Sequence, residues 1–242
     1  MLRFITYLAP SLPEELFASV AQQVGAAVGQ DVTLVVEPSV SGPAPDGTDP
    51  FTAGEADVGF MCAPSFVGLN GMAVPPVVPL AAPVFREHDH DGRAVYWSEV
   101  VVRASDSAVD LADLDSAVWG YNDTASLSGY HSLSGLVDLS AAVHTGSHLR
   151  SLDLLQAGGI DAAAIDSVVL ALYRRRDPGV DDALRVVARL GPFPIQPVVG
   201  AAAMAEADRG AIRRALFAVQ LPEFGLERMV PVTAADYARI GA

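Results

Sequence analysis

The sequence predicts an α/β fold with a mostly parallel sheet. Short apolar strand-like runs alternate with helix-period runs along the whole chain, and one turn-and-strand pattern occurs twice. Residues 2–8 alternate as a strand. Ser11-Leu12-Pro13-Glu14 then reads as a helix start, with Ser11 to cap and Pro13 in the first turn. Leu16, Val20, Val24 and Val28 mark one face of that helix. Further strands are expected at 32–36, 58–61, 77–84, 95–103, 117–121, 162–165, 184–188 and 198–201, and helices at 65–69, 128–136, 147–157, 167–176 and 205–219. The repeated pattern is Gly54-Glu55-Ala56-Asp57-Val58-Gly59-Phe60 against Gly158-Gly159-Ile160-Asp161-Ala162-Ala163-Ala164. Each is a Gly turn, an Asp and a buried strand that breaks into a loop. Ligands of α/β sheets sit at the carboxyl ends of such strands, so two copies suggest two similar lobes.

Composition excludes several function classes. The 242 residues are 51% apolar and 18% charged, which is globular, and long enough for one large domain or two small lobes. Net charge is −14, and the densest basic cluster, Arg174-Arg175-Arg176, runs into Asp177 and Pro178 like a solvated helix end; a nucleic-acid partner is not expected. All basic residues are Arg, so lysine Schiff-base chemistry is excluded. Cys62 is alone, which excludes a disulfide framework. The apolar run at 74–84 carries Pro75, Pro76, Pro79 and Pro83, and no run approaches a membrane span, so no membrane insertion is expected. The start, MLRFITYLAP, lacks the features of a signal peptide. The expected location is cytoplasmic as written, or periplasmic if a signal has been removed.

Four loops and one cysteine carry possible chemistry. The stretch 121–131, from Tyr121-Asn122-Asp123 to Gly129-Tyr130-His131, follows a strand and precedes a helical run. Its hydroxyls and glycine can present N–H donors to an anion at a helix start, or simply cap the helix. Thr145-Gly146-Ser147-His148 opens another helix, with His148 either an anion donor or a surface residue. Asp166, at a strand end, can accept from a protonated ligand oxygen or an amine, or cap the helix that follows. His88-Asp89-His90-Asp91 has the look of a metal tract but sits in a charged loop, and no metal is expected there. Cys62, with no His near it in sequence, reads as packing rather than a nucleophile. No P-loop, dinucleotide fingerprint or nucleophile elbow occurs in a suitable context.

Several blocks occur in the order found in one known family: Asp49-Pro50-Phe51; Gly54 through Pro64; Tyr121-Asn122-Asp123; Ser126-Leu127-Ser128-Gly129-Tyr130-His131; Gly146-Ser147-His148; and Asp161 through Ser167. Together they resemble the phosphate/phosphite/phosphonate substrate-binding proteins of ABC transporters. The resemblance implies a type 2 periplasmic-binding fold, with two α/β lobes around a ligand cleft. Lobe I would hold 1–98 plus 197–242 and lobe II 99–196, with crossings near 96–103 and 192–201. It implies that Ser126, Ser128, Gly129 and Tyr130 grip a small oxyanion, helped by His148 and Asp166, with Tyr7, Tyr96, Cys62 and Ala63 contributing from elsewhere. It implies no cofactor, an ABC permease as partner, and a monomer. The chain departs from the family's Ser/Thr run, because Leu127 stands between Ser126 and Ser128. A cytoplasmic enzyme of the same fold (a pyrimidine-precursor synthase or a dehydratase) and a ligand sensor remain alternatives. The aromatics Tyr7, Tyr96, Trp97, Trp119, Tyr121 and Tyr130 suit an organic phosphonate or a planar ring, with Trp97 and Trp119 expected in the core.

Overall fold

The structure is a computed structural model that describes residues 1–37, 41–43, 48–86 and 93–240. In chain order the strands are β1 (Leu2–Thr6), β2 (Val32–Val36), β3 (Val58–Phe60), β4 (Val77–Phe85), β5 (Val95–Arg103), β6 (Trp119–Tyr121), β7 (Val143–His144), β8 (Ala162–Asp166), β9 (Leu184–Pro194), β10 (Val198–Ala201) and β11 (Leu226–Val230). The helices are α1 (Glu14–Val28), α2 (Ala63–Asn70), α3 (His148–Ala157), α4 (Ser167–Arg176), α5 (Val180–Ala183) and α6 (Glu206–Phe217). The chain divides into two units: Met1–Val95 with Pro194–Ala242, and Tyr96–Phe193.

Unit 1 is a sheet in the order β11-β4-β10-β3-β1-β2. β1 pairs in parallel with β2 and β3, whereas β10 and β11 run antiparallel to their neighbours. The expected mostly parallel sheet is therefore mixed. α1 buries Leu16, Phe17, Val20 and Val24 on the stripe the sequence predicts, and Phe17 meets Phe60 with ring centroids 5.0 Å apart. Each such side chain contributes about 1.5–3 kcal/mol by burial. Gly29 ends α1 with φ 67°, a left-handed position that glycine adopts without a Cβ penalty. The expected start at Ser11 is wrong. α1 begins at Glu14, and Pro13 holds the N-cap position without a side-chain bond. A proline there has no side-chain acceptor to offer, so Glu14 and Glu15 in the first turn act on the helix dipole instead.

Unit 2 is a sheet in the order β7-β6-β8-β5-β9, with β6 parallel to β7 and β8, and β5 antiparallel to β8. Val100, Val102, Leu114, Trp119, Leu133, Ala162 and Ala164 form its core. The helix expected at 128–136 is absent; only a 3₁₀ turn, His131–Leu133, forms there. Gly135, at φ 74°, breaks the helical run. The sequence pattern also missed β7 and β11. The first has two residues and the second follows Gly225, so neither carries enough alternation to read.

The repeated Gly-x-x-Asp pattern is one physical device used in both units. Gly54 and Gly158 both have positive φ, 69° and 75°. Asp57 Oδ2 accepts the Arg3 N–H at 2.9 Å, and Asp161 Oδ2 accepts the Val118 N–H at 3.0 Å. Each Asp thus caps the entry of a neighbouring strand, and each holds an arginine at 2.7 Å, Arg3 on β1 and Arg103 on β5. Burial pushes Asp57 upward, but its hydrogen bonds from Arg3 outweigh that and leave it below the ordinary carboxylate value. The Val118 N–H and Arg103 lower Asp161.

Candidate functional site

Parallel β6, β7 and β8 end on one edge of the unit 2 sheet. Ser98 pairs with Asp166 across the β5–β8 ladder, which puts it at that same edge. This edge gathers the polar loops.

Ser126, Ser128 and His148 are all buried, at 2%, 2% and 4% exposure. Ser128 Oγ and His148 Nε2 share a hydrogen bond of 3.1 Å. The Ser128 carbonyl accepts from Ser98 Oγ and from Ser132 Oγ, each at 2.7 Å, and the two hydroxyl oxygens lie 3.0 Å apart. The Gly129 N–H donates to Ser126 Oγ at 3.1 Å. The loop is therefore held in shape by its own hydroxyls. With no helix following it, helix-dipole reasoning does not apply to it.

His148 is the first residue of α3, which Ser147 caps by accepting the Arg150 N–H. Burial lowers its imidazole from 6.5 to about 4, against a smaller upward pull from Asp123, so it is neutral at pH 7. A neutral imidazole can exchange donor and acceptor roles with Ser128. Asn122 is 8% exposed, and its Oδ1 has no hydrogen-bond partner among the described residues. A Cβ on residue 129 would lie 1.8 Å from that oxygen and 3.1 Å from His148 Cε1, so only glycine fits between the two side chains.

Asp166 ends β8 and caps α4: its Oδ1 accepts from the Val168 N–H at 2.7 Å and the Val169 N–H at 3.3 Å. Tyr130 stands beside this loop, half-buried, with its ring 5.1 Å from that of Tyr121. Tyr96 is fully buried on β5 against Phe193, centroids 6.2 Å apart. Trp119 is in the core as expected, while Trp97 is only half-buried, with Arg189 5.4 Å over its ring.

In unit 1, Tyr7 follows β1 and donates its N–H to the Phe60 carbonyl at 3.0 Å. Burial, then Glu37 and Asp49, raise its phenol well above the ordinary value. Cys62 is buried at the N-cap of α2, its N–H bonded to the Ser41 carbonyl at 2.8 Å, with Ala63 opening the helix. The tract His88-Asp89-His90-Asp91 lies outside the described residues. Among the described residues, no cluster of His, Cys, Asp or Glu could hold a metal ion, and no helix is long and apolar enough to cross a membrane. The structure adds Ser98, Ser132 and the orientation of Asn122 to the site. The signal for Ser98 was weak: a polar pair, Ser98-Glu99, interrupts the apolar residues of the run 95–103.

Two α/β units, each with parallel strands ending in ligand-competent loops, define a binding protein of the type 2 periplasmic fold. The chain belongs to the family of ABC transporter, phosphonate, periplasmic substrate-binding proteins, which matches residues 3–237. The fold is shared with a binding-protein component of an ABC phosphonate transporter from Pseudomonas aeruginosa, at TM-score 0.78 and 14% identity over 98% of this chain and 82% of that one. PhnD1 from Prochlorococcus marinus in complex with methylphosphonate matches at TM-score 0.78 and 14% identity, over 99% and 95% of the two chains. A Xanthomonas citri protein bound to ATP matches at TM-score 0.69 and 18% identity, over 98% and 93%. No curated protein matches. The family is periplasmic, which favours the second of the two expected locations over the cytoplasmic one.

Proposed function

We propose that this protein binds a phosphonate, phosphite or phosphate-like oxyanion and delivers it, as a monomer, to an ABC permease outside the cytoplasmic membrane. The observation that carries the reading is the buried Ser128–His148 pair, set in a loop with Ser126 and Gly129, in a chain of the phosphonate-binding family. In this reading Ser126, Ser128, Gly129, Tyr130, His148 and Asp166 are the oxyanion residues of unit 2. Tyr7, Cys62 and Ala63 are the candidates of unit 1, and Tyr96 supports from β5.

Asn122 supplies a selectivity element. Its buried Oδ1 is an acceptor without a donor, and a buried acceptor left unpaired costs about 1–3 kcal/mol. A monoprotonated phosphonate carries an O–H that can satisfy it. A sulfonate is fully ionised at neutral pH and cannot. The family assignment supports a binder over the enzyme alternative, and a binder needs no catalytic base. The test is calorimetric titration with methylphosphonate, phosphite, phosphate and sulfate. Binding of the first three and not of sulfate is expected; no heat and no thermal shift with any phosphorus oxyanion would overturn the proposal.

A further inference from the structure

Four rings stand together at the carboxyl edge of unit 2, beside the oxyanion loop, and the oxyanion chemistry uses only one of them. Tyr121 ends β6 and His144 ends β7, and the two are paired in register. Their rings lie 5.3 Å apart at 38°. Tyr130, next to Gly129, lies 5.1 Å from Tyr121. His131 meets Tyr130 edge-on at 5.7 Å. Tyr121 and Tyr130 are half-buried, and His131 and His144 are exposed. The core does not absorb this group: Trp119, two residues earlier on the same strand face, is 2% exposed and is the ring that fills the interior.

Aromatic faces left open to solvent beside a polar site are where a ligand's organic part is received. Tyr121 and Tyr130 bracket the oxyanion loop at its two ends, so the ring group flanks that loop. Two of the four are imidazoles. Cations are received by the faces of Trp, Tyr and Phe, so a set that is half imidazole is a stacking platform and not an ammonium cage.

We infer that the ligand carries a planar aromatic ring on its phosphorus group, as an aryl phosphonate or a ring-bearing phosphate ester does, and that Tyr121, Tyr130 and His144 stack against it. This rests on the oxyanion proposal above.

The test is calorimetric titration of the whole protein with methylphosphonate, phenylphosphonate and 2-aminoethylphosphonate, repeated with Tyr121→Leu and with His144→Ala. His144 is exposed, so its variant keeps the fold even where the Tyr121 variant fails. Phenylphosphonate should bind about tenfold tighter than methylphosphonate. That ratio should fall toward one in either variant. Methylphosphonate binding with no advantage for phenylphosphonate would overturn this inference alone, as would an aminoethyl ligand that binds tightest. A wild-type advantage unchanged in both variants would also overturn it. No binding of any phosphonate would overturn it together with the oxyanion proposal.

Discussion

The two units share their strand entries and differ at the opposite edge. At the entries, Asp57 and Asp161 do the same work with the same partners: a strand N–H and an arginine. At the carboxyl edges the chemistry diverges. Among the described residues unit 1 buries the polar side chains Thr6, Ser41 and Gln196. Unit 2 buries Ser98, Asn122, Ser126, Ser128, His148 and Asp166, with Glu99, Ser151 and Ser167. A buried polar network is costly unless it is satisfied, so its concentration in unit 2 fits the proposed site there. A common scaffold turn supports both units, and the buried polar side chains are concentrated in one of them.

The sharpest way to break this contrast is Gly129→Ala. The added Cβ meets Asn122 Oδ1 at 1.8 Å, which overpacks the loop and costs about 1–3 kcal/mol. Methylphosphonate binding should vanish in titration. Adding Asn122→Ala should restore stability in urea melts without restoring selectivity against sulfate.

His148 gives the next largest effect. In the unfolded chain it binds its proton at about 6.5, in the folded one at about 4, so folding is favoured most when both are neutral. That stabilisation is complete above pH 6.5 and is lost as pH falls toward 4, by about 3 kcal/mol. His148→Gln should melt with a shallower decline over this interval than the natural protein. Parallel declines would show that the imidazole titrates normally.

The strand entries should respond more evenly. Asp57→Ala and Asp161→Ala each remove charged hydrogen bonds worth roughly 1.5–3 kcal/mol. Asp57 should cost more, because its side chain is 16% exposed against 36% for Asp161. Neither should change methylphosphonate affinity in the folded protein. The smallest effect belongs to Cys62→Ser. It places a better cap on α2 but loses a buried apolar group, so the unfolding free energy from urea melts should change by less than about 1 kcal/mol.

Much of the fold was legible because period and burial agree. α1, α3, α4 and α6 show their apolar faces in the sequence, and β8 is an unbroken small apolar run. The loop 121–131 was legible as a polar, hydroxyl-bearing stretch around one glycine but not as a structure. Its Ser128 hydroxyl bonds to His148 and its Ser128 carbonyl accepts from Ser98 Oγ, both at least twenty positions away, pairings that local pattern cannot encode. The paired platform of Tyr121 and His144 was equally hidden, because β7 has only two residues and its register comes from the sheet. The antiparallel run of β10 and β11 is likewise set by the return of the chain to unit 1, not by their own residues.

Unit 2 is one continuous stretch of chain, and its two ends meet: Tyr96 and Phe193 have their rings 6.2 Å apart, on β5 and β9, which are neighbours in the sheet. A segment whose ends already touch can be cut out, joined by a short linker, or replaced without stretching what remains. The oxyanion loop, its histidine and the ring platform would travel together in such an exchange. The unit 2 share of the proposed site is thus a transplantable module, open to recombination as a single cassette.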